Sequence, residues 1–347
     1  MSETQRAASP LLEIVSLRKS FERTKGILRR VQGIVKAVDD ISFKVFKGET
    51  LSLVGESGCG KTTAGRCIIR AVEPTSGDVF FFEDGKKKNL AKISRQELLA
   101  VRQNIRMVFQ DPFSSLNPRM TLTQIIGEPL LINKRVKNSR ELQERVAGLL
   151  SLVHLDPRYM NRYPHAFSGG QRQRIAIARA LALDPSFVIA DEPVSALDVS
   201  VQAQILNLLK ELQVEKDLTY LFIAHNLAVV RYQSDRIAVM YLGKIVELST
   251  RDGIFEKPLH PYTELLLLSS PNPDPRAKKK KVDLIGEIPD PAHRPSGCAF
   301  HTRCRYAQPI CYEKEPALID VASKGSPSHF VACHFWDQLS LGIGHNE

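Results

Sequence analysis

The run Thr50-Leu51-Ser52-Leu53-Val54 leads straight into Gly55-Glu56-Ser57-Gly58-Cys59-Gly60-Lys61-Thr62-Thr63. An apolar run of strand length, a glycine-rich turn and a Lys-Thr-Thr helix start read as strand, loop and helix. The loop fits G-x-x-x-x-G-K-[ST], and its chemistry explains that composition. Glycines let successive backbone N–H groups turn inward as an anion nest, and the helix N-terminus adds a favourable dipole. Lys61 reaches the β- and γ-phosphates of a nucleotide, while the Thr62 hydroxyl ligates Mg²⁺. The competing reading is an ordinary glycine turn with an exposed lysine; the flanking strand and helix weigh against it. Cys59 reads as a small loop residue, with oxidation at an exposed loop as the alternative.

Two further short apolar runs follow. Ser186-Phe187-Val188-Ile189-Ala190 ends in Asp191 and Glu192, and Leu218-Thr219-Tyr220-Leu221-Phe222-Ile223-Ala224 ends in His225. Runs lacking polar alternation suit strands buried on both faces, so the fold class is α/β with a mostly parallel sheet. Polar residues just after such strands lie at the carboxyl edge of the sheet, where ligands bind in open α/β folds. An Asp ending a strand holds Mg²⁺ through water, and the adjacent Glu polarises an attacking water. Between the first two runs lies a helix-favouring insert. Asn138 with Glu141 resembles a capping box, and Leu142, Val146, Leu149 and Val153 recur at helical spacing as core positions.

Composition sets the outer bounds. The 347 residues exceed what one core usually holds, and 43% hydrophobic with 25% charged residues excludes wholesale disorder, collagen and a disulfide miniprotein. No apolar stretch is long enough for a transmembrane helix, and the N-terminus lacks a signal-peptide core, so a cytoplasmic chain is expected. Forty-eight Lys and Arg against 38 Asp and Glu give +10, a balance that suits a solvated basic surface or contact with phosphates and anionic lipid. Nucleic acid is not expected, because no basic groove interleaved with aromatics is apparent. The texture changes after residue 265. Pro271, Pro273, Pro275, Pro289, Pro291 and Pro295 surround Lys278-Lys279-Lys280-Lys281, marking a linker into a small tail. The organisation expected is therefore 1–265 and 266–347. The lysine run and the pair Arg29-Arg30 read as solvated, with anionic lipid as the alternative.

With these motifs in order, the chain resembles the ATP-binding-cassette (ABC) ATPases from roughly Leu11 to Tyr262. Ser168-Gly169-Gly170-Gln171 is similar to the family signature, with Phe167 where leucine is commoner. Gln110 resembles the Q-loop glutamine, Ser195-Ala196-Leu197-Asp198 the D-loop, and His225 the switch histidine. Phe21 sits where the family stacks an aromatic on adenine; a core phenylalanine is the alternative. The resemblance implies a P-loop nucleotide-binding domain with a parallel-sheet core plus antiparallel β and helical subdomains. It also implies ATP bound in a head-to-tail sandwich, between Lys61's loop of one subunit and Ser168, Gly169 and Gly170 of its partner. Gln110, Asp191 and Thr62 would serve Mg²⁺, Glu192 would orient water, and His225 would contact the γ-phosphate. Chromosome and repair relatives place long coiled coils or zinc insertions before the signature, and translation relatives carry two cassettes. Neither pattern occurs here, which leaves transport.

A finer resemblance follows. Asp111-Pro112-Phe113-Ser114-Ser115-Leu116-Asn117-Pro118-Arg119-Met120-Thr121 is similar to the oligopeptide/dipeptide importer ATPases, especially their F-type subunit. His260-Pro261-Tyr262-Thr263 resembles the element opening that family's C-terminal extension. The implied partners are two integral-membrane permeases and a second ATPase subunit, either D-type or a second copy. An extracytoplasmic substrate-binding protein is an indirect partner. The implied location is the cytoplasmic face of the inner membrane, as a peripheral subunit. Relatives also carry glutathione, nickel complexes or oligosaccharides, so cargo stays open.

The tail holds Cys298, Cys304, Cys311 and Cys333 in the spacing C-x5-C-x6-C-x21-C. Four thiols in a short tail with little apolar mass can form a Cys₄ metal site, although paired C-x-x-C knuckles are absent. The set resembles the C-terminal cysteines of the peptide-importer ATPases, some of which hold a four-iron four-sulfur (4Fe-4S) cluster. Zinc and free thiols packed as small hydrophobes are the alternatives. His301 and His334 lie beside the set as substitute ligands.

Overall fold

In the computed structural model, which describes residues 10–25, 30–83, 85–269 and 286–341, Thr50–Val54 is a strand buried along its whole length. The other two expected runs are strands as well, Phe187–Asp191 and Thr219–Ala224, both buried throughout. Asp191 belongs to its strand instead of following it. The Lys278–Lys281 run, Arg29 and Pro271, Pro273 and Pro275 lie outside the described residues.

The chain gathers into two compact units. One holds Phe46–Glu49 and Ile93–Ile223, and the other holds Pro10–Val45, Thr50–Lys92 and the described part of Ala224–Glu347.

In the first unit, parallel strands form the sheet that both-face burial requires. Ile105 of Ile105–Val108 lies opposite Phe187, and Phe187 and Asp191 lie opposite Thr219 and Ile223. Its longer helices are Leu122–Ile132, Ser139–Leu152, Gly169–Leu181 and Val199–Lys216. Val146 and Val153 are fully buried, while Leu142 and Leu149 pack against Leu130, Ala182 and Leu183, as their helical spacing predicts. Asn138 caps its helix by accepting from the Glu141 N–H at 2.9 Å. The reciprocal half of the expected box is replaced, because the Glu141 carboxylate accepts from the N–H of Lys137.

The second unit contains a four-stranded sheet in the order Arg30–Phe46, Pro10–Lys25, Ser76–Glu83, Lys86–Asn89, in which Ser76–Glu83 pairs antiparallel with both Pro10–Lys25 and Lys86–Asn89. Alternate inward residues fix its register: Leu12 faces Phe81 and Ile14 faces Val79, all four buried. Thr50–Val54 runs parallel to Arg236–Tyr241, which pairs antiparallel with Lys244–Thr250. The tail adds to this edge. Phe330–Val331 pairs with Lys244–Thr250, and Ile319–Asp320 pairs in turn with Phe330–Val331. Val331 is thereby fully buried on an existing sheet, whereas Ile319 at the outer edge stays exposed. Helix Pro261–Ser269 runs continuously across residue 265.

Candidate functional site

The phosphate-type loop is shaped by backbone that only glycine tolerates. Gly55 has φ 153, and a Cβ there would lie 2.1 Å from the Met240 carbonyl oxygen. Gly60 has φ 109, and a Cβ there would lie 2.0 Å from the Ala37 carbonyl oxygen. Both contacts are far inside van der Waals distance, so these positions accept no side chain. Helix Lys61–Ile68 begins at Gly60 with no side-chain cap, which leaves its first N–H groups to other acceptors. Lys61 is buried, and its ammonium donates to the carbonyls of Gly55 at 2.8 Å and Glu56 at 2.9 Å. Thr62 and Thr63 are half-buried, and Ser57 and Gly58 are exposed. Cys59 is buried 3.6 Å from the Lys61 ammonium, and its burial pushes the thiol pKa up. It is a packed loop residue and a poor nucleophile, so the expected exposure to oxidation is overturned by its burial.

Two other residues singled out in the sequence fall in the same unit. His225 is exposed directly after strand Thr219–Ala224. Phe21 is 43% exposed, with the Lys19 ammonium 4.9 Å from its ring centre, so it is not a core phenylalanine.

The other unit brings Gln110 and Glu192 together. Gln110 follows strand Ile105–Val108, Glu192 follows Phe187–Asp191, and the Gln110 amide donates to the Glu192 carboxylate at 2.9 Å. Glu192 has φ 46, a left-handed backbone that costs a side-chain-bearing residue energy, and its N–H donates to the Ile223 carbonyl at 2.9 Å. Asp191 is buried at the end of the strand.

Ser168 and Gln171 form a complete capping box at the start of helix Gly169–Leu181. Because the Ser168 oxygen accepts from the Gln171 N–H, its own hydrogen remains a donor. Gly170 has a packing reason that the sequence did not disclose: a Cβ there would lie 2.3 Å from Val201 Cγ1. Val201 is held in turn by Asp198, which caps Val199–Lys216 by accepting from the Val201 N–H at 3.0 Å. A bond from the Ser200 hydroxyl, helped by that backbone bond, holds the Asp198 carboxyl below its usual range. Phe167 is buried edge-on to Tyr159, so the larger ring before the signature is accommodated in the core. Arg179, from the same helix, donates to the Ser115 carbonyl at 2.6 Å, tying the signature helix to the run after Gln110.

In the tail, Cys298, Cys304, Cys311 and Cys333 line one cavity together with His301 and His334. The Cys298 N–H donates to the Cys311 carbonyl at 2.8 Å. Burial raises the thiol pKa of Cys304 to about 12 and of Cys333 to about 11. Among the described residues no group of three or more His, Cys, Asp or Glu is arranged to hold a metal ion. The expected iron–sulfur cluster therefore gains no support from ligand geometry. Nor is any helix among the described residues long and apolar enough to cross a membrane.

Comparison with known proteins agrees with this geometry. The ABC transporter family profile matches residues 38–195, and that of the oligopeptide/dipeptide transporter C-terminal region matches residues 246–311. The oligopeptide transport ATP-binding protein AppF of Bacillus subtilis is 53% identical over 329 residues, covering 94% of this chain and 97% of that protein. The oligopeptide transport ATP-binding protein OppF of Escherichia coli is 49% identical over 333 residues, covering 95% and 97%. The dimeric ATP-binding cassette MJ0796, solved bound to ADP and Pi, superposes with TM-score 0.60 at 30% identity, covering 69% of this chain and 98% of that one. Likeness of this order along nearly the whole length, tail included, places the chain in the ABC transporter ATPases, among the ATP-binding proteins of the oligopeptide/dipeptide family.

Proposed function

We propose that this chain is the ATP-hydrolysing subunit of a membrane importer for di- and oligopeptides, acting from the cytoplasmic face beneath two permeases. The observation that carries the ATPase reading is the Gln110–Glu192 pair, an oriented carboxylate in a chain that also has a glycine-built phosphate loop. The peptide cargo is supported by the relatives named for oligopeptide transport and by the matched C-terminal region. The nucleotide-binding part spans 1–265, with 266–347 as its extension.

Each residue then has a task. The loop Gly55–Thr62 offers N–H groups to the nucleotide phosphates, with Lys61 exchanging loop carbonyls for phosphate oxygens. Phe21, exposed, stacks on the adenine. Thr62, Gln110 and Asp191 suit Mg²⁺, an oxygen-preferring ion that neutralises charge on the β- and γ-phosphates when bound. Glu192 accepts a hydrogen bond from the attacking water and aligns it. His225 donates to the γ-phosphate. Ser168 and the Gly169 and Gly170 amides contact the nucleotide of a second ATPase subunit, so loss of the γ-phosphate releases the pair. Asp198 caps its helix and fixes Val201 against the signature helix.

In the tail, the four cysteines are assigned to a 4Fe-4S cluster that staples the extension. Donor chemistry alone supports this reading, four soft sulfur ligands in one short tail; the arrangement of the side chains does not.

The test is a pair of variants in the reconstituted transporter. Lys61→Ala is expected to weaken binding of a fluorescent ATP analogue, whereas Glu192→Gln keeps binding and loses turnover by at least ~100-fold, as loss of a general base does. Near-normal hydrolysis by Glu192→Gln would refute the catalytic assignment. Peptide-loaded binding protein should stimulate ATPase activity; stimulation by a non-peptide cargo alone would move the chain to another branch of the family.

A further inference from the structure

Glu56 places a carboxylate on the loop that is read above as binding a polyanion. Uncompensated, that charge would oppose the phosphates. The structure compensates it from far along the chain. Arg303 reaches Glu56 with both guanidinium arms, Nη1 to Oε2 at 2.8 Å and Nη2 to Oε1 at 3.0 Å. Such a forked pair is the strongest and most directional form of ion pair. The arginine side chain is only 5% exposed, against 25% for Glu56, so solvent screens the contact weakly.

Every polar group of Glu56 is engaged. Its N–H donates to the Tyr262 hydroxyl at 2.9 Å, its carbonyl accepts from Lys61, and its carboxylate accepts from Arg303. Arg303 is itself held in place. It sits in the turn between the cavity-lining Cys298 and Cys304, and its N–H donates to the Phe300 carbonyl at 3.0 Å. Phe300 is buried, with its ring 5.3 Å from that of Tyr241 and 5.4 Å from that of Tyr262. The tail is thus wedged against the residues beneath the loop.

We propose that Arg303 is a positioning residue for ATP binding: it neutralises Glu56 and fixes the phosphate-binding loop in its nucleotide-ready shape, acting from the C-terminal extension. The proposal rests on the reading of Gly55–Thr62 as the ATP loop. It gives the extension a task in nucleotide affinity, beyond whatever its thiols hold.

The alternative is that Arg303 merely anchors the tail, and charge logic separates the two. Equilibrium binding of a fluorescent ATP analogue and steady-state kinetics are measured on the full chain carrying Arg303→Gln, Glu56→Gln or both. Arg303→Gln is expected to weaken binding about tenfold, or ~1.4 kcal/mol, with KM rising and kcat falling less. Glu56→Gln is expected to tighten binding, because the repulsive carboxylate is gone. The double variant is expected to bind at least about fivefold tighter than Arg303→Gln alone, since the unpaired charge has been removed. Unchanged affinity in Arg303→Gln, or a double variant no tighter than that single one, would overturn the proposal. Thermal unfolding without nucleotide checks that each variant folds. If Arg303→Gln does not fold, Glu56→Gln decides alone, and weaker binding there overturns the charge role. Lys61→Ala is the control on the underlying reading: if it binds ATP normally, the loop assignment falls and this proposal with it. If Lys61→Ala fails to bind while Arg303→Gln binds normally, only this proposal falls.

Discussion

The Gln110 amide lies 2.9 Å from the Glu192 carboxylate, and Glu192 is held in a left-handed backbone conformation with φ 46. Glu192 directly follows strand Phe187–Asp191 and Gln110 lies two residues beyond Ile105–Val108, its parallel neighbour, which brings the two side chains together. A hydrogen bond to a charged group is worth about 1.5–3 kcal/mol. Gln110→Ala is therefore expected to lower turnover about ten- to hundredfold while affinity for ATP changes much less. Comparing kcat with the Kd of a fluorescent ATP analogue checks this. A Gln110→Ala enzyme with unaltered kcat would show that the contact does not orient Glu192.

Gly170 allows the signature helix to touch Val201. Gly170→Ala would bring a methyl to 2.3 Å from Val201 Cγ1, which forces the two helices apart or the valine out of its rotamer. Overpacking of this kind costs about 1–3 kcal/mol. The melting temperature should fall, and adding Val201→Ala should restore most of it. If Val201→Ala gives no recovery, the overlap with Val201 is not the source of the loss.

His260 gives the protein a pH dependence with a definite sign. It is buried, its Nδ1 accepts from the Tyr262 N–H at 3.0 Å, and burial lowers its pKa from 6.5 to about 3, opposed by a hydrogen bond to the Ala332 backbone. The unfolded chain takes up a proton below about 6.5, whereas the folded chain stays neutral until about 3. Stability is therefore fully present above the unfolded value and declines as pH falls through that window, by about 1.4 kcal/mol per unit for one proton. His260→Phe is expected to be less stable near neutrality, having lost its acceptor. Its stability should also decline less steeply than the parent's between about pH 6 and 4. Denaturant midpoints across that range measure both slopes, and parallel slopes would exclude His260 as the titrating group.

What was legible in the sequence divides along physical lines. Strands Thr50–Val54, Phe187–Asp191 and Thr219–Ala224 announce themselves because both-face burial leaves unbroken apolar runs. The helical insert announces itself through Leu142, Val146, Leu149 and Val153, and Gly55 through the motif. The long strands Pro10–Lys25 and Arg30–Phe46 do not, because half-exposed strands carry charges such as Arg18, Lys19 and Lys44 that blur the apolar pattern. They were expected from family resemblance alone. Long-range partnerships leave no local signal at all: Arg303 with Glu56, Gly170 against Val201, and the tail strand Phe330–Val331 on Lys244–Thr250. Gln110 and Glu192, 82 positions apart, could be singled out but not joined without the parallel pairing of their strands.

The tail thiols make the last test. Burial pushes the pKa of Cys304 up to about 12 and of Cys333 up to about 11, and raises that of Cys298, with neighbouring thiols adding to each shift. Metal-free protein should then hold protonated, unreactive thiols at pH 8. Alkylation of Cys304 by iodoacetamide should be at least about tenfold slower in the folded chain than in urea, because the thiolate is the nucleophile. Metal ligation needs deprotonated sulfur, so every thiol captured must release a proton, and binding should strengthen as pH rises. Titrating zinc into the metal-free protein, in buffers of different ionisation enthalpy, counts those protons. Protein purified without oxygen is expected to be brown, with broad absorbance near ~400 nm. Cys304→Ser should bleach it and expose the tail to proteolysis while leaving nucleotide binding measurable. Colourless, iron-free protein from anaerobic cells would remove the cluster assignment; stoichiometric zinc in that protein would give the four cysteines to zinc. Fast alkylation at pH 8 would show instead that the thiols are not buried in solution.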